Sequence, residues 1–216
     1  MINIKGAIFD ADGTLLDSMW MWHQVESEYI KSYKVMPRQD FVEALRTLNT
    51  LEVAEYFQSE YGVNKTTEEI TDEKNAMMED FYTNRVLLKP GVLQVLDTFR
   101  ARGIKMCIAT ATEHHLMEAA LKKTGILGYF ERIFTCSGEN TSKNRPDIFL
   151  RAAAFLGTDI KDTLVVEDAL HAIKSAKGAG FQVVGVYDQS ADIHKGDIKR
   201  VSDYYFQSLD EMLALI

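Results

Sequence analysis

"IFDADGTLLDS", residues 8–18, decides how the rest of the chain is read. A short apolar run meets Asp10, skips Ala11, reaches Asp12 and turns at Gly13. Two carboxylates one residue apart repel each other, and these stand at the mouth of a buried strand. Alternate residues of extended chain share a face, so both are expected on one side of the turn. Upstream, "IKGAIF" (4–9) reads as the strand itself. Downstream, from about 16 to 85, no comparable strand occurs. That stretch is rich in Glu, Lys, Met, Leu and Tyr, and reads as several helices with polar breaks near Pro37 and "YGVNKTT" (61–67).

After Pro90 the rhythm changes to strand and helix in alternation. "GVLQVLDTFRARG" (91–103) is an amphipathic helix with a glycine stop, "IKMCIAT" (104–110) a strand, and "EHHLMEAALKKTG" (113–125) a helix. "FERIFTC" (130–136) reads as a strand. "PDIFLRAAAFLG" (146–157) reads as a helix with proline in its first turn, where a missing N–H costs least. "DTLVVED" (162–168) is a strand, "ALHAIKSAKGAG" (169–180) a helix and "FQVVGVYD" (181–188) a strand. "VSDYYF" (201–206) is a candidate edge strand before a closing helix. The expected fold class is therefore α/β, a Rossmann-like parallel sheet with helices on both faces and an inserted helical unit. The expected division is a core of 1–15 and 88–216 and an insert of 16–87. Ligands of such sheets bind at the carboxyl ends of the strands. Asp10, Asp12, Thr110, Glu167 and Asp168 all fall at those ends, and the insert follows the first strand over the same rim, where it reads as a lid.

The composition limits the alternatives. The chain has 216 residues, 46% hydrophobic and 26% charged, which suits one large domain or one with an insert. No stretch approaches the roughly 20 apolar residues of a membrane span. The start leaves no room for a signal peptide, and Cys107 and Cys136 show neither metal spacing nor a disulfide pattern, so a cytoplasmic location is expected. The net charge of −8 disfavours nucleic acid and anionic membranes as partners. It leaves room for a small anionic substrate, because a metal or a few cations can reverse the field inside a cleft. A monomer or homodimer is expected.

Four segments together carry a resemblance. "DADGT" after a buried strand, "IAT" (108–110), "SKNRPDIFLRAA" (142–153) and "VVEDALHAIKSAKGAG" (165–180) resemble, in order, the four motifs of the haloacid dehalogenase superfamily. The insert resembles that family's small helical cap, of the C1 type. The third motif departs in having Asn144 where the family has proline. The fourth departs in Ala169 and Ala172, where the family has serine and glycine. The resemblance implies an Mg²⁺-dependent phosphatase acting on a small phosphorylated metabolite. It implies a cation held by Asp10, the backbone carbonyl of Asp12, Asp168 and Glu167.

The residues fit that chemistry. Asp10 is a carboxylate able to attack phosphorus and form an aspartyl-phosphate. Asp12 can protonate the leaving oxygen and then take a proton from water. Two close carboxylates push one pKa upward, which suits that role. Mg²⁺ favours one or two carboxylates together with a substrate phosphate. The transferring oxygens need charge and donors, which Lys143, the Thr110 hydroxyl and the Ala111 N–H can supply. Each residue also has a purely structural alternative: an Asp-rich turn for Asp10 and Asp12, a strand-end cap for Thr110, a solvated lysine for Lys143, and a helix cap for Asp168. Trp20 and Trp22 can wall the substrate cleft or pack between helices. Arg46 can reach a second anionic group or lie on a solvated face. His114 and His115 diverge on their helix and belong on a solvated face. His23 is a partly buried polar residue, and His171 a candidate neighbour of the acidic pair.

Two other functions compete. One is a sugar phosphomutase resembling the family's β-phosphoglucomutase branch, which usually has valine at the position of Thr14 and histidine at that of Trp22. The other is a non-catalytic phospho-acceptor or binding module resembling a response-regulator receiver, a fold without an insert after its first strand.

Overall fold

A computed structural model describes residues 3–45, 48 and 50–215 of the chain. Six parallel strands form one sheet: β1 (Gly6–Phe9), β2 (Lys105–Thr110), β3 (Ile133–Thr135), β4 (Thr163–Glu167), β5 (Gln182–Val186) and β6 (Tyr204–Phe206). Their order across the sheet is β3-β2-β1-β4-β5-β6. The chain leaves β1 toward β2 on one side and later returns to pair β4 on the other. β1 is thus the strand at which the winding reverses, and a crevice opens at the carboxyl ends beside it.

The strands read as near-continuous apolar runs because both faces are covered. Alternation still sorts them. Phe9, Ile108, Val166 and Val184 enter one core cluster with Leu96, Phe99, Leu116 and Leu121. Ile8, Cys107, Val165 and Val183 enter the opposite one with Phe149, Leu156, Ile173 and Phe181. The helices α5 (Val92–Ala101) and α6 (His114–Lys123) cover the first face, and α7 (Asp147–Leu156) and α8 (Leu170–Gly178) the second. Numbering in chain order, α1 (Met19–Ser32), α2 (Phe41–Leu45), α3 (Thr50–Tyr61) and α4 (Thr67–Asp80) precede these, and α9 (Lys195–Val201) follows. A π-helical turn, Phe81–Arg85, extends α4.

The helical segment between β1 and α5 has an apolar cluster of its own, including Tyr29, Ile30, Phe41, Val53, Phe57 and Ile70. At its base it is not separate: Met21, Val25, Met78, Phe81 and Tyr82 belong to the cluster of the sheet's first face. The outgoing and returning chains touch at an antiparallel bridge, Leu16 to Leu88. The Asp17 N–H donates to the Leu87 carbonyl at 3.0 Å, and the Lys89 N–H to that of Leu15 at 2.9 Å.

The observed strands are shorter than the apolar runs suggest. "FERIFTC" contributes only Ile133–Thr135 as strand, although Glu131 and Arg132 ahead of it already exchange backbone hydrogen bonds with β2. The closing helix is a 3₁₀ turn, Leu209–Leu215. A 3₁₀ turn (Gln189–His194) and α9 fill a stretch where periodicity predicts no element. Among the described residues, no helix is long and apolar enough to cross a membrane.

Candidate active site

The Asp10 N–H donates to the Val166 carbonyl at 2.9 Å, so the β1–β4 pairing reaches the first acidic residue. The chain then turns through Gly13, whose φ of +80° is left-handed. A Cβ there would lie 2.5 Å from Asp168 Oδ2, so only glycine lets this turn approach the acidic residue after β4. Lys89 anchors the turn from beneath, donating to the carbonyls of Gly13 and Tyr187 and to Asp188 Oδ2 at 2.9 Å.

Asp10, Glu167 and Asp168 each offer an oxygen within 4.8 Å of the others, and all three are buried. Lys143 is buried with them. Its ammonium donates to Asp10 Oδ1, and to Glu167 Oε1 at 2.7 Å. Burial alone would lower the Lys143 pKa, but Asp10 and Glu167 together hold it above the ordinary lysine value. Burial pushes the Asp10 carboxyl up to about 6, with Lys143 pulling the other way. Burial also pushes Asp168 well up, and the charges of Glu167 and Asp10 add to it. Hard oxygen donors crowded in a buried space at this mutual cost suit a small divalent cation.

Asp168 does not cap the helix that follows it. Glu167 Oε2 accepts from the N–H groups of Asp168 (2.9 Å) and Ala169 (2.8 Å), just ahead of that helix. Asp168 instead accepts from the Thr14 hydroxyl at 2.9 Å. The fold thus gives each member of the acidic pair its own partners.

Asp12 has different surroundings. Its Oδ1 accepts from Ser18 Oγ at 2.6 Å and from the Tyr82 hydroxyl at 2.5 Å, and its Oδ2 from Thr112 Oγ1 at 2.7 Å. Burial raises its pKa, and the hydroxyls work against that rise by favouring the carboxylate. Thr110 is buried beside it, and its Oγ1 accepts from the Thr112 N–H at 3.1 Å. That bond leaves the Thr110 hydroxyl hydrogen free to donate elsewhere.

These groups line a cavity of about 450 Å³. It includes Asp10, Asp12, Thr110, Ala111, Lys143, Glu167 and Asp168, and the helical side adds Trp22, His23, Glu26, Lys74 and Asn75. Trp22 lines it while donating from Nε1 to the Tyr82 hydroxyl at 2.9 Å. Trp20 does not: it is half exposed, packs edge-on against Phe81 at 5.5 Å and borders a smaller cleft with Asp17 and Gln189. His171 lines the main cavity. His114 and His115 are exposed. Arg46 lies outside the described residues. Sequence reasoning missed Ser18, Tyr82, Thr112 and Lys89. Ser18 and Thr112 lie close enough to the motifs to be suspected, whereas Tyr82 is 70 residues from its acceptor and carries no local signal.

Residues 7–186 match the family described as haloacid dehalogenase-like hydrolase. The chain belongs to that family. Among its relatives is (DL)-glycerol-3-phosphatase 2 of Arabidopsis thaliana, 26% identical over 91% of this chain and 85% of the relative. Another is hexitol phosphatase B of Escherichia coli, 24% identical over 98% of this chain and 95% of the relative. CbbY of Rhodobacter sphaeroides, solved in complex with phosphate, shares the fold. Its TM-score is 0.81 at 20% identity, covering 97% of this chain and 96% of that one. These relatives named by activity are phosphatases, and the chain is an enzyme of the same haloacid dehalogenase-like hydrolase family.

Proposed function

We propose that the chain is an Mg²⁺-dependent phosphatase of small phosphorylated metabolites, with Asp10 as nucleophile and Asp12 as general acid and base. The observation that carries this reading is the contrast between the two carboxylates. Asp10 sits in an ammonium–carboxylate cluster suited to a phosphoryl group, whereas Asp12 sits on three neutral hydroxyls suited to a proton carrier. Two titratable groups in environments this different can take different parts in one reaction.

In this reading an Asp10 oxygen attacks phosphorus, the bond to the leaving oxygen breaks, and Asp12 gives that oxygen its proton. Asp12 then takes a proton from water as the water attacks the aspartyl-phosphate, which regenerates Asp10 and releases phosphate. Lys143 leaves its bridge between Asp10 and Glu167 to meet a phosphoryl oxygen, and Thr110 and the Ala111 N–H donate to the others. Asp10, Asp168 and Glu167, with the Asp12 carbonyl, would hold Mg²⁺. When bound, that ion supplies charge to the phosphoryl oxygens and keeps Asp10 ionised. The helical segment 16–87 acts as the cap that closes the cavity over substrate, while 1–15 and 88–216 form the catalytic core.

Phosphate release from a panel of phosphomonoesters, with Mg²⁺ and with chelator, tests the reading. Asp10→Asn should abolish release, by a thousandfold or more on the order of other lost nucleophiles. Asp12→Asn should cost about a hundredfold to ten-thousandfold on alkyl phosphates. It should cost much less on p-nitrophenyl phosphate, whose leaving group needs no proton. Isomerised sugar phosphates in place of free phosphate would turn the reading to a mutase. Equal losses on both substrate classes would remove Asp12 from its role.

A further inference from the structure

The far wall of the cavity holds an ion pair in an unlikely place. α4 buries Ile70, Lys74 and Met78 at successive intervals of four, so a lysine occupies the middle of an apolar stripe. Lys74 is 2% exposed and Glu26, facing it from α1, is 8% exposed. Among the described residues their ion-pair contact is a single loose one, with Nζ 3.5 Å from Oε1. The ammonium otherwise faces aromatic rings, 5.8 Å from the centre of Trp22 and 5.4 Å from that of Phe57. Beside it Asn75 is 6% exposed and lines the same cavity. A buried pair this loose stabilises a fold poorly, and apolar residues would pack better. All three polar side chains line the cavity that contains Asp10 and Asp12.

We propose that Glu26 and Lys74, with Asn75, read the substrate's leaving group, selecting a neutral, hydroxyl-rich one and turning away a second anionic group. The inference rests on the phosphatase reading and names its substrate class. The pair has no net charge wherever its proton resides, so it does not by itself attract an anion. A hydroxyl can donate to Glu26 and accept from Lys74 or Asn75, whereas a carboxylate or phosphate can only accept and would stand against Glu26. An apolar leaving group would offer these groups no hydrogen bond and leave Glu26 and Lys74 only their own loose contact, which discriminates against it. Removing the Glu26 charge exposes the Lys74 cation and should reverse the preference.

The test compares matched substrates differing by one hydroxymethyl-to-carboxylate change: glycerol 3-phosphate against 3-phosphoglycerate, and sorbitol 6-phosphate against 6-phosphogluconate. p-Nitrophenyl phosphate reports phosphatase chemistry with no hydroxyls to read. The wild-type enzyme should favour the polyol member by roughly tenfold or more in kcat/KM. Glu26→Gln should shift that ratio at least about tenfold toward the acid, chiefly through KM. Because Glu26→Gln leaves a buried cation unpaired, the Glu26→Gln/Lys74→Met double variant supplies a charge-free wall that keeps the packing. It should lose the polyol preference without gaining the acid. A wild-type preference for the acids overturns the inference. So does a ratio unchanged in both variants, and so does turnover of p-nitrophenyl phosphate with no member of either pair accepted. Absence of any turnover, p-nitrophenyl phosphate included, instead overturns the phosphatase reading beneath it.

Discussion

Asp10 and Asp12 are chemically identical and two residues apart, yet the fold gives them opposite company. One meets an ammonium and two further carboxylates, the other three hydroxyls. Tyr82 is the most telling of the three, since it also accepts from Trp22 and so links Asp12 to the helical segment. A hydrogen bond to a charged group is worth about 1.5–3 kcal/mol. Tyr82→Phe should therefore lower kcat by about tenfold or more. It removes a donor that favours the carboxylate, so the Asp12 pKa should rise further. Where Asp12 acts as the acid, the alkaline limb of the pH–rate profile should move up. An unmoved limb with a reduced rate would make Tyr82 a packing residue. The acidic residues themselves were legible, because a paired carboxylate at a strand end is a local pattern. Tyr82 was not, because its role is set by the placement of a helix 70 residues away.

At the scale of elements, local chemistry explains where helices begin better than where they stop. Thr66 opens α4 with a reciprocal capping box: its hydroxyl accepts from the Glu69 N–H, and the Glu69 carboxylate accepts from the Thr66 N–H. Thr66→Ala should cost about 1 kcal/mol of stability, read as a lower melting temperature, with kcat on p-nitrophenyl phosphate unchanged. A loss of activity without a loss of stability would mean that the cap does more than hold α4. α8 begins differently. Ala169 at its N-cap offers no side-chain oxygen, and Glu167 at the end of β4 holds only the two N–H groups that lead into the helix, those of Asp168 and Ala169. The sequence reading assigned a possible cap to Asp168, the nearer acid, because spacing alone does not say which way a carboxylate turns. The stretch 189–201 escaped that reading for a related reason. It is a 3₁₀ turn and a seven-residue helix, with Ile198 the only buried residue of α9. Too few apolar positions recur there for a period to show.

The whole molecule holds the acids together against their repulsion. Asp10, Asp12, Glu26 and Asp168 all stand above the ordinary carboxylate range, with burial the leading cause for each. The folded state therefore holds protons more tightly than the unfolded chain. The stability linked to these groups is fully present below about pH 4, the unfolded carboxylate range, and is lost as pH rises through their folded values. Metal-free protein should thus melt several degrees lower at pH 7.5 than at pH 5. Mg²⁺ should restore more of that loss at pH 7.5, where the carboxylates it joins are ionised. Asp168→Asn should raise the metal-free melting temperature at pH 7.5 and shrink the Mg²⁺ increment. An equal increment at both pH values would dissociate the cluster from the metal. Lys89 belongs to this scale too, tying the Gly13 turn to the end of β5 across nearly a hundred residues of chain.

By itself the sequence determined the alternating sheet, the helical insert and the residues at the strand ends. Those follow from period, turn chemistry and motif order, all of which are local. Tertiary structure alone decided which acid pairs with Lys143 and which sits on hydroxyls, which tryptophan reaches the cavity, and that Glu26 and Lys74 face each other inside it. Each of these depends on how two distant segments dock. Burial in a low-dielectric space then turns that docking into charge and proton chemistry, which no spacing along the chain encodes.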